Sequence, residues 1–169
     1  MAKHDISKFK RRAYRKKKEL TSFLRKVGNS KIKGILKAVA EAEKEVWKEV
    51  NCTKCANCCK TMTPTYTRRD INRISKHFNM TYDEFYDKWL QKDENKDIVN
   101  QSRPCQFLGK DDRCTIYAIR PTDCAEFPHL NRKDFRYQAK SKIYNQNLPL
   151  CPATLVLVEK LKLAIEADL

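Results

Sequence analysis

Eight cysteines constrain the fold of this chain more than any other feature of its sequence. Four of them lie within eight residues, none comes earlier, and four more follow far downstream. They are Cys52, Cys55, Cys58, Cys59, Cys105, Cys114, Cys124 and Cys151. A thiolate is a soft ligand that suits zinc, copper(I) and iron–sulfur clusters. We therefore predict that all eight are metal ligands, and that the intervening segments fold to bring the sulfurs together.

The rest of the sequence indicates a reducing compartment. The basic segment at residues 3–18 is not followed by the apolar stretch of a secretory signal. No apolar run approaches the roughly 18 residues that a membrane span needs. In the cytoplasm a cysteine cluster more often binds metal than forms disulfides, and the adjacent pair Cys58-Cys59 fits poorly with simple disulfide staples. We therefore expect a cytoplasmic protein with no membrane span and with metal-ligating cysteines.

The net charge of +15 is concentrated ahead of the cysteines. Residues 1–50 hold 16 lysines and arginines against 6 acidic residues, whereas residues 51–169 hold 20 against 15. We therefore predict two parts, a basic helical arm at 1–50 and a cysteine-cluster metal-binding domain at 51–169. A basic arm can bind the phosphates of a nucleic acid or another acidic partner. The alternative is a solvated helix that only keeps the protein soluble.

Periodicity and capping signals predict a mainly α fold. Apolar residues at helical spacing predict helices over 3–27 and 31–50, which form a basic hairpin packed against itself or against the core. Two capping boxes and a proline mark three further helix starts. These starts fall at Thr67, Thr81 and Pro152. The predicted fold is thus a set of short helices with an N-terminal basic helical hairpin.

The cysteine-rich segments are predicted to be mostly irregular loops. Residues 105–108 and 114–117 are expected to pair as a small β-hairpin around the metal centre, because residues 109–112 have the composition of a turn. The polar stretch 91–101 is expected to be a loop, and residues 130–149 give no clear signal.

The spacing of the cysteines favours two metal centres. Bacterial ferredoxins use a C-x2-C-x2-C run together with a Cys-Pro ligand. Cys52, Cys55 and Cys58 match that run, and Cys151-Pro152 supplies the Cys-Pro. The second centre would then use Cys59, Cys105, Cys114 and Cys124. The alternatives are a single centre with spare thiols, or a tetrahedral zinc site built from closely spaced pairs.

Five ordered motifs make the cysteine pattern specific. They are Cys52-x-x-Cys55-x-x-Cys58-Cys59, Pro104-Cys105-Gln106-Phe107-Leu108, Cys114-Thr115-Ile116-Tyr117, the segment Arg120 to Pro128 and Cys151-Pro152. Over residues 50–155 the chain resembles the YkgJ-type CxxCxxCC family, whose members are described by their proposed chelation of zinc or iron. The resemblance implies a metal-binding domain in which the cysteines are the ligands.

The same family is similar in its cysteine pattern to bacterial flagellin lysine-N-methylase, which implies a link to S-adenosylmethionine chemistry. Radical enzymes of that cofactor carry C-x3-C-x2-C, whereas here Met62 stands where the third cysteine is required. The favoured hypothesis is therefore a protein that chelates zinc or iron, including as an iron–sulfur cluster. The alternative is an iron–sulfur redox enzyme or a protein-modifying, lysine methylase-like enzyme.

Residues beside the cysteines are candidates for tuning a bound metal. Arg103, Arg113 and Arg120 flank cysteines, and a guanidinium can donate hydrogen bonds to a thiolate. The alternative for each is an ordinary solvent-facing arginine. His129 is the histidine best placed to act as a ligand, whereas His77 is more typical of a surface side chain.

Overall fold

The computed structural model describes residues 5–130, 135–140 and 143–167, and within them the fold is mainly α-helical, as predicted. The helices are α1 (Ile6–Asn29), α2 (Ile35–Glu49), α3 (Cys52–Cys55), α4 (Asn57–Thr61), α5 (Arg68–His77), α6 (Tyr82–Trp89), α7 (Thr122–Glu126), α8 (Phe135–Lys140), α9 (Ile143–Asn147) and α10 (Pro152–Ala167). The strands are β1 (Leu90–Lys92) and β2 (Ile98–Asn100), and a 3-10 turn spans Tyr117–Ile119. No helix in the described part of the chain is long and apolar enough to cross a membrane.

The chain divides into two compact units. The helical unit comprises Met1–Cys55 together with Pro128–Leu169, and the cysteine unit comprises Ala56–Phe127. The predicted division into a basic arm at 1–50 and a metal-binding domain at 51–169 stays a prediction.

In the helical unit, both basic helices pack on the C-terminal helix α10. Asp5 caps α1 by accepting from the Lys8 N–H at 2.9 Å, and the apolar stripe of α1 is buried where the helix packs on α8, α9 and α10. The stripe of α2 packs on α10 as well. Residues 152–159 of α10 are all buried, as expected for a helix that is enclosed on every side. Of the two arrangements predicted for the hairpin, packing against the core is the one observed.

Two basic residues of α1 take part in this packing. Glu159 on α10 is buried, and its Oε1 accepts from Arg12 Nε at 3.0 Å and lies 2.9 Å from Lys16 Nζ. A buried carboxylate needs such partners, because the desolvation of an unpaired charge costs several kcal/mol. Part of the basic charge of the arm is therefore structural.

An aromatic core supports the cysteine unit. α5 and α6 begin at the two predicted capping boxes, Thr67–Asp70 and Thr81–Glu84, and each box is closed in both directions. The buried residues of the core are Tyr66, Ile71, Ile74, Phe85, Leu90, Phe107 and Ile116. Cys105 and Cys114 pack against this cluster, so the core adjoins two of the predicted ligands.

The small antiparallel sheet lies elsewhere than predicted. β1 pairs with β2 and, apart from Leu90, both strands lie in the 91–101 segment that the sequence predicts to be a loop. Asp93 closes the turn between the strands by accepting from the N–H groups of Asn95 and Asp97 at 2.9 Å each. This pattern of side-chain-to-backbone bonds favours a turn. Polar composition is a poor guide here, because a three-residue strand needs few apolar side chains.

Candidate metal centre

The eight cysteines are divided between the two units. The helical unit holds Cys52 and Cys55 on α3 and Cys151 just before α10. The cysteine unit holds Cys58 and Cys59 on α4, Cys105 and Cys114 on a loop, and Cys124 on α7.

In the cysteine unit, a backbone hydrogen bond joins α4 to the loop that carries two of the cysteines. The N–H of Cys105 donates to the carbonyl oxygen of Cys59 at 2.8 Å. The loop does not form the predicted hairpin, because Leu108 and Cys114 make a single antiparallel bridge around the turn at 109–112. This short turn places Cys105 and Cys114 on its two arms.

Asp70, in the first turn of α5, holds the segment that carries Cys124. Its carboxylate is 1% exposed and accepts from the N–H and the hydroxyl of Thr122 at 3.1 and 2.9 Å. Arg73 pairs with Asp70 at 2.7 Å. Its guanidinium also donates to the carbonyl oxygens of Ile119 and Arg120, just before α7, at 2.6 and 2.5 Å. Because α7 begins at Thr122, these bonds anchor the helix on which Cys124 lies.

The same hydrogen bonds keep Asp70 ionised. Burial raises the pKa of this carboxyl, but hydrogen bonds from Thr67, Arg73 and Thr122 outweigh burial and hold the pKa well below its ordinary value. The network that positions Cys124 therefore depends on a negative charge at Asp70.

Four of the five thiols in the cysteine unit affect one another's pKa. Burial raises the pKa of the Cys124 thiol, and Cys59, Cys105 and Cys114 raise it further. Burial and Cys59 likewise raise the pKa of Cys105 and of Cys114. Each thiolate thus disfavours ionisation of its neighbours, which requires them to be close. A bound cation would reverse this penalty, because metal ligation requires and stabilises the deprotonated form.

Backbone N–H groups already favour the thiolate form of two of these sulfurs. Burial raises the pKa of Cys105 and Cys114, whereas hydrogen bonds from the N–H groups of Phe107 and Ile116, respectively, lower it. In both cases the donor lies two residues after the cysteine. A hydrogen bond to the charged form stabilises that form, so the loop backbone offsets part of the cost of burial.

In the helical unit, Cys55 and Cys151 are neighbours. Burial raises the pKa of Cys151, hydrogen bonds from Thr154 and from the N–H of Ala153 lower it, and Cys55 raises it. Cys55 and Cys151 therefore lie near each other, although they are 96 residues apart in sequence. The residues around Cys151 offer the same kind of backbone donor as the loop of the cysteine unit.

The adjacent cysteines Cys58 and Cys59 have their sulfurs 3.9 Å apart. The hydrogen bond with Cys58 raises the pKa of Cys59, and burial raises it further. In a tetrahedral zinc site with Zn–S bonds of about 2.3 Å, two sulfurs are about 3.8 Å apart. The separation of 3.9 Å would allow both sulfurs to bind one metal, and it would also allow each sulfur to bind one of two adjoining metals. Cys58 contacts the four-sulfur group through Cys59.

Arg120 differs from the other two arginines that flank cysteines. Its guanidinium lies 4.0 Å from the centre of the Tyr117 ring and donates to the carbonyl oxygen of Tyr117 at 2.6 Å. Burial raises the pKa of the Cys114 thiol, and the positive charge of Arg120 lowers it. Arg103 and Arg113 are exposed. Of the three arginines, Arg120 is thus the one whose charge favours the thiolate form of a neighbouring cysteine.

The two histidines considered as ligands lie in different surroundings. His77 packs edge-on against Phe78, with 5.3 Å between the ring centres. His129 belongs to the helical unit, where its carbonyl oxygen accepts from the hydroxyl of Tyr144 at 3.3 Å.

Sequence reasoning missed the residues that position the sulfurs. Asp70 was expected only as a helix cap, and its bonds to Thr122 span 52 residues of sequence. Neither Arg73 nor Thr122 carries a local signal for this role.

The donor set fits a soft metal. Within residues 5–130, 135–140 and 143–167, no three cysteine, histidine or acidic side chains are grouped closely enough to hold a metal ion. Binding would require the thiols to lose their protons and rotate towards a common point. Neighbouring sulfurs and N–H groups directed at them are the features that this change needs.

Fold and site together define a small, mainly helical protein whose cysteine-rich loop gathers thiols suited to a soft metal. A family model named CxxCxxCC, with the description "Putative zinc- or iron-chelating domain", matches residues 51–152. The chain belongs to this family, which confirms the resemblance drawn from the five motifs. No curated protein and no solved structure matches the chain.

Proposed function

We propose that the protein chelates zinc or iron through its eight cysteines, and that one four-thiolate centre lies in the cysteine unit. Its ligands would be Cys59, Cys105, Cys114 and Cys124. The observation that supports this most directly is the effect of these four sulfurs on one another's ionisation. Four thiolates in a tetrahedral arrangement are a common structural zinc site and also suit iron.

The other four cysteines would form a second centre. Cys55 and Cys151 are neighbours, which supports their sharing a metal. Cys52 belongs to the same unit, and Cys58 is assigned by the C-x2-C-x2-C spacing alone. This partition is the one that the ferredoxin-like spacing predicts.

Elemental analysis of protein purified without oxygen tests the proposal, and cysteine-to-serine variants test the partition. C105S and C124S should each lose the same portion of bound metal, and the C105S/C124S double variant should lose no more than either one. C105S/C151S should lose more than C105S, because the two cysteines would serve different centres. Wild-type metal content in C105S and in C124S, with unchanged circular dichroism, would contradict the four-thiolate centre.

An iron–sulfur protein is the second candidate, supported by the Cys-x-x-Cys block that approaches the Cys151-Pro152 motif. Anaerobic purification should then give a brown protein that contains acid-labile sulfide in proportion to iron. A colourless protein filled with zinc after the same handling would exclude this candidate. The version in which the centre serves a redox or lysine methylase-like reaction rests on the resemblance alone.

The exposed face of α1 supports a further proposal, that the arm binds a nucleic acid or another acidic partner. Arg12 and Lys16 pair with Glu159, but other basic residues of α1 are exposed around Tyr14, which is itself 83% exposed. Between residues 8 and 18, around Tyr14, the exposed basic residues that do not pair with Glu159 are Lys8, Lys10, Arg11, Arg15, Lys17 and Lys18. Binding to RNA should weaken steeply with salt and be lost in a variant with Lys10, Arg11 and Lys17 changed to Gln.

We place the protein in the cytoplasm, where thiolates stay reduced.

A further inference from the structure

Asn100, the last residue of β2, is 2% exposed, and its side-chain amide is held in one orientation. Its Oδ1 accepts from the hydroxyl of Tyr66 at 2.7 Å and from Nε2 of Gln106 at 3.0 Å. Nε2 of Gln106 also reaches the carbonyl oxygen of Trp89 at 3.5 Å. Because a carbonyl oxygen only accepts, this contact sets which end of the Gln106 amide carries the nitrogen. The oxygen of Asn100 therefore faces two donors, and its nitrogen faces away from them.

The nitrogen of the Asn100 amide is the unusual part of this arrangement. Nδ2 is buried and has no hydrogen-bond partner among the described residues. The titratable group that it affects is the thiol of Cys105: burial raises the pKa of that thiol, and the Asn100 side chain lowers it. A protonated thiol is a weak acceptor, whereas an ionised acceptor makes hydrogen bonds roughly twice as strong as neutral ones. A thiolate held by a metal would therefore be a better acceptor for this buried N–H than a neutral thiol.

We propose that Asn100 is a positioning residue of the metal centre, and that its Nδ2–H donates to the Cys105 thiolate when a metal is bound. This inference rests on the proposed function of Cys105 as a ligand. Donors outside the ligand set orient the ligands and take up part of their charge, and their loss weakens metal binding. Pairing of Asn100 with Leu90 across the sheet fixes the backbone from which the donor projects.

The arrangement explains why this position carries an amide rather than an apolar residue. The aromatic core adjoins Asn100 through Tyr66, and an apolar side chain would pack there without a polar group to satisfy. An amide supplies an acceptor for Tyr66 and Gln106 at one end and a donor for the sulfur at the other. No other standard side chain of this size has both functions in one rigid plane.

Two substitutions separate the donor from the acceptor. N100D keeps the shape of the side chain and an oxygen for Tyr66 and Gln106, but replaces the N–H donor by a second oxygen. N100A removes both functions without adding charge. Co²⁺ titration of reduced, metal-free protein under anaerobic conditions gives the affinity, and the sulfur-to-cobalt charge-transfer bands report on the thiolates. We expect both variants to bind Co²⁺ about 10–100-fold more weakly than wild type at the cysteine-unit centre and to shift these bands.

Gln101 provides a matched control on the next residue. Its Nε2 donates to the carbonyl oxygens of Asp87 and Leu90 at 3.0 and 2.8 Å, so it serves the backbone and not a sulfur. Q101E adds the same charge as N100D one residue away and should leave the Co²⁺ affinity within about twofold of wild type.

The outcomes distinguish the inference from the function on which it rests. Wild-type affinity and spectrum in folded N100D or in folded N100A would overturn the role of Asn100. If neither variant folds, Y66F replaces them, because it removes only a hydrogen bond that orients Asn100; unchanged binding in Y66F would then overturn the role. If C105S and C114S bind Co²⁺ as wild type does, the proposed function itself is wrong.

Discussion

Replacing Asp70 by asparagine should loosen the segment that carries Cys124. The change removes the ion pair with Arg73 and turns one of the two accepting oxygens into a donor that faces other donors. Removing one partner of a buried ion pair costs about 3–5 kcal/mol. Because the Arg73 side chain is 37% exposed, water screens part of the interaction. We therefore expect the lower end of the range, about 3 kcal/mol.

A background with a single tryptophan makes the effect measurable in the cysteine unit alone. The chain has two tryptophans, and W47F leaves Trp89, whose ring centre lies 4.9 Å from that of Phe85 in the aromatic core. Guanidinium titrations of reduced, metal-free W47F and W47F/D70N, followed by fluorescence, give the two free energies of unfolding. The difference should be about 3 kcal/mol at pH 7.

The pH dependence tests the role of the charge. The pKa of Asp70 is lower in the folded protein than its unfolded value of about 3.9, so unfolding takes up a proton at acidic pH. The stabilisation by Asp70 is therefore complete above about pH 5 and is lost as the pH falls below about 4. The difference between W47F and W47F/D70N should be constant from neutral pH to about pH 5 and shrink below it.

Asp111 supplies the control, because it carries the same side chain on the surface. It accepts from the Arg113 N–H at 3.1 Å and pairs with the Arg113 side chain at 3.8 Å. W47F/D111N should lose less than about 1 kcal/mol. Equal unfolding midpoints and slopes for the D70N and D111N variants would refute the reasoning about the Asp70 network.

Three further predictions follow from the packing and from the loop. E159Q should destabilise the helical unit by about 1 kcal/mol, because Arg12 and Lys16 lose an ionised partner but reach water easily. Trp47 fluorescence in a W89F background measures this change in the free energy of unfolding. A gain in stability would contradict the ion-pair assignment. G109A should weaken Co²⁺ binding, because a Cβ there would lie 2.8 Å from Asp111 Oδ1 and 3.2 Å from the Arg113 carbonyl oxygen. G34A is strained at a φ of +76° but has nothing within 4 Å, so it should lower stability by about 1 kcal/mol and leave Co²⁺ binding unchanged. Equal Co²⁺ affinities in the two variants would contradict the role of the 109–112 turn in positioning the cysteines. Metal removal by a chelator should speed amide hydrogen exchange over residues 105–127 while α5 and α6 stay protected; equal loss of protection throughout would show that the core depends on the metal.

The sequence predicted those parts of the fold that depend on local bonds. The boxes at Thr67 and Thr81 are complete within four residues, so the helix starts that they mark agree with the structure. The helices of the basic arm were also predicted, because their apolar stripes repeat at helical spacing. Residues 3 and 4 of the first predicted helix lie outside the described residues. Periodicity does not tell which partner a stripe will meet, and both stripes pack on α10.

The parts of the candidate site that were not predicted depend on distant partners. Thr122 meets Asp70 across 52 residues, and Tyr66 meets Asn100 across 34. The sequence around a capping aspartate does not show whether its carboxylate also accepts hydrogen bonds from residues far along the chain. The strands around Asp93 were missed for a related reason: Gln91 and Lys92 of β1 are exposed polar residues, and only the backbone pairing with β2 reveals the sheet.

Local hydrogen bonds and contacts between residues distant in sequence contribute differently to the arrangement of the cysteines. The N–H donors of Phe107 and Ile116 come with the turns that carry Cys105 and Cys114, so they need no distant partner. Bringing those turns to α4 and α7 requires the aromatic core and the charge on Asp70, neither of which involves a sulfur. In small zinc fingers the metal supplies the folding free energy, and the chain is unfolded without it. Here the aromatic core and the Asp70 network hold the cysteine-bearing segments through contacts that involve no sulfur. A metal at the proposed centre would therefore have to displace the thiol protons and reorient the side chains, and would not have to fold the unit.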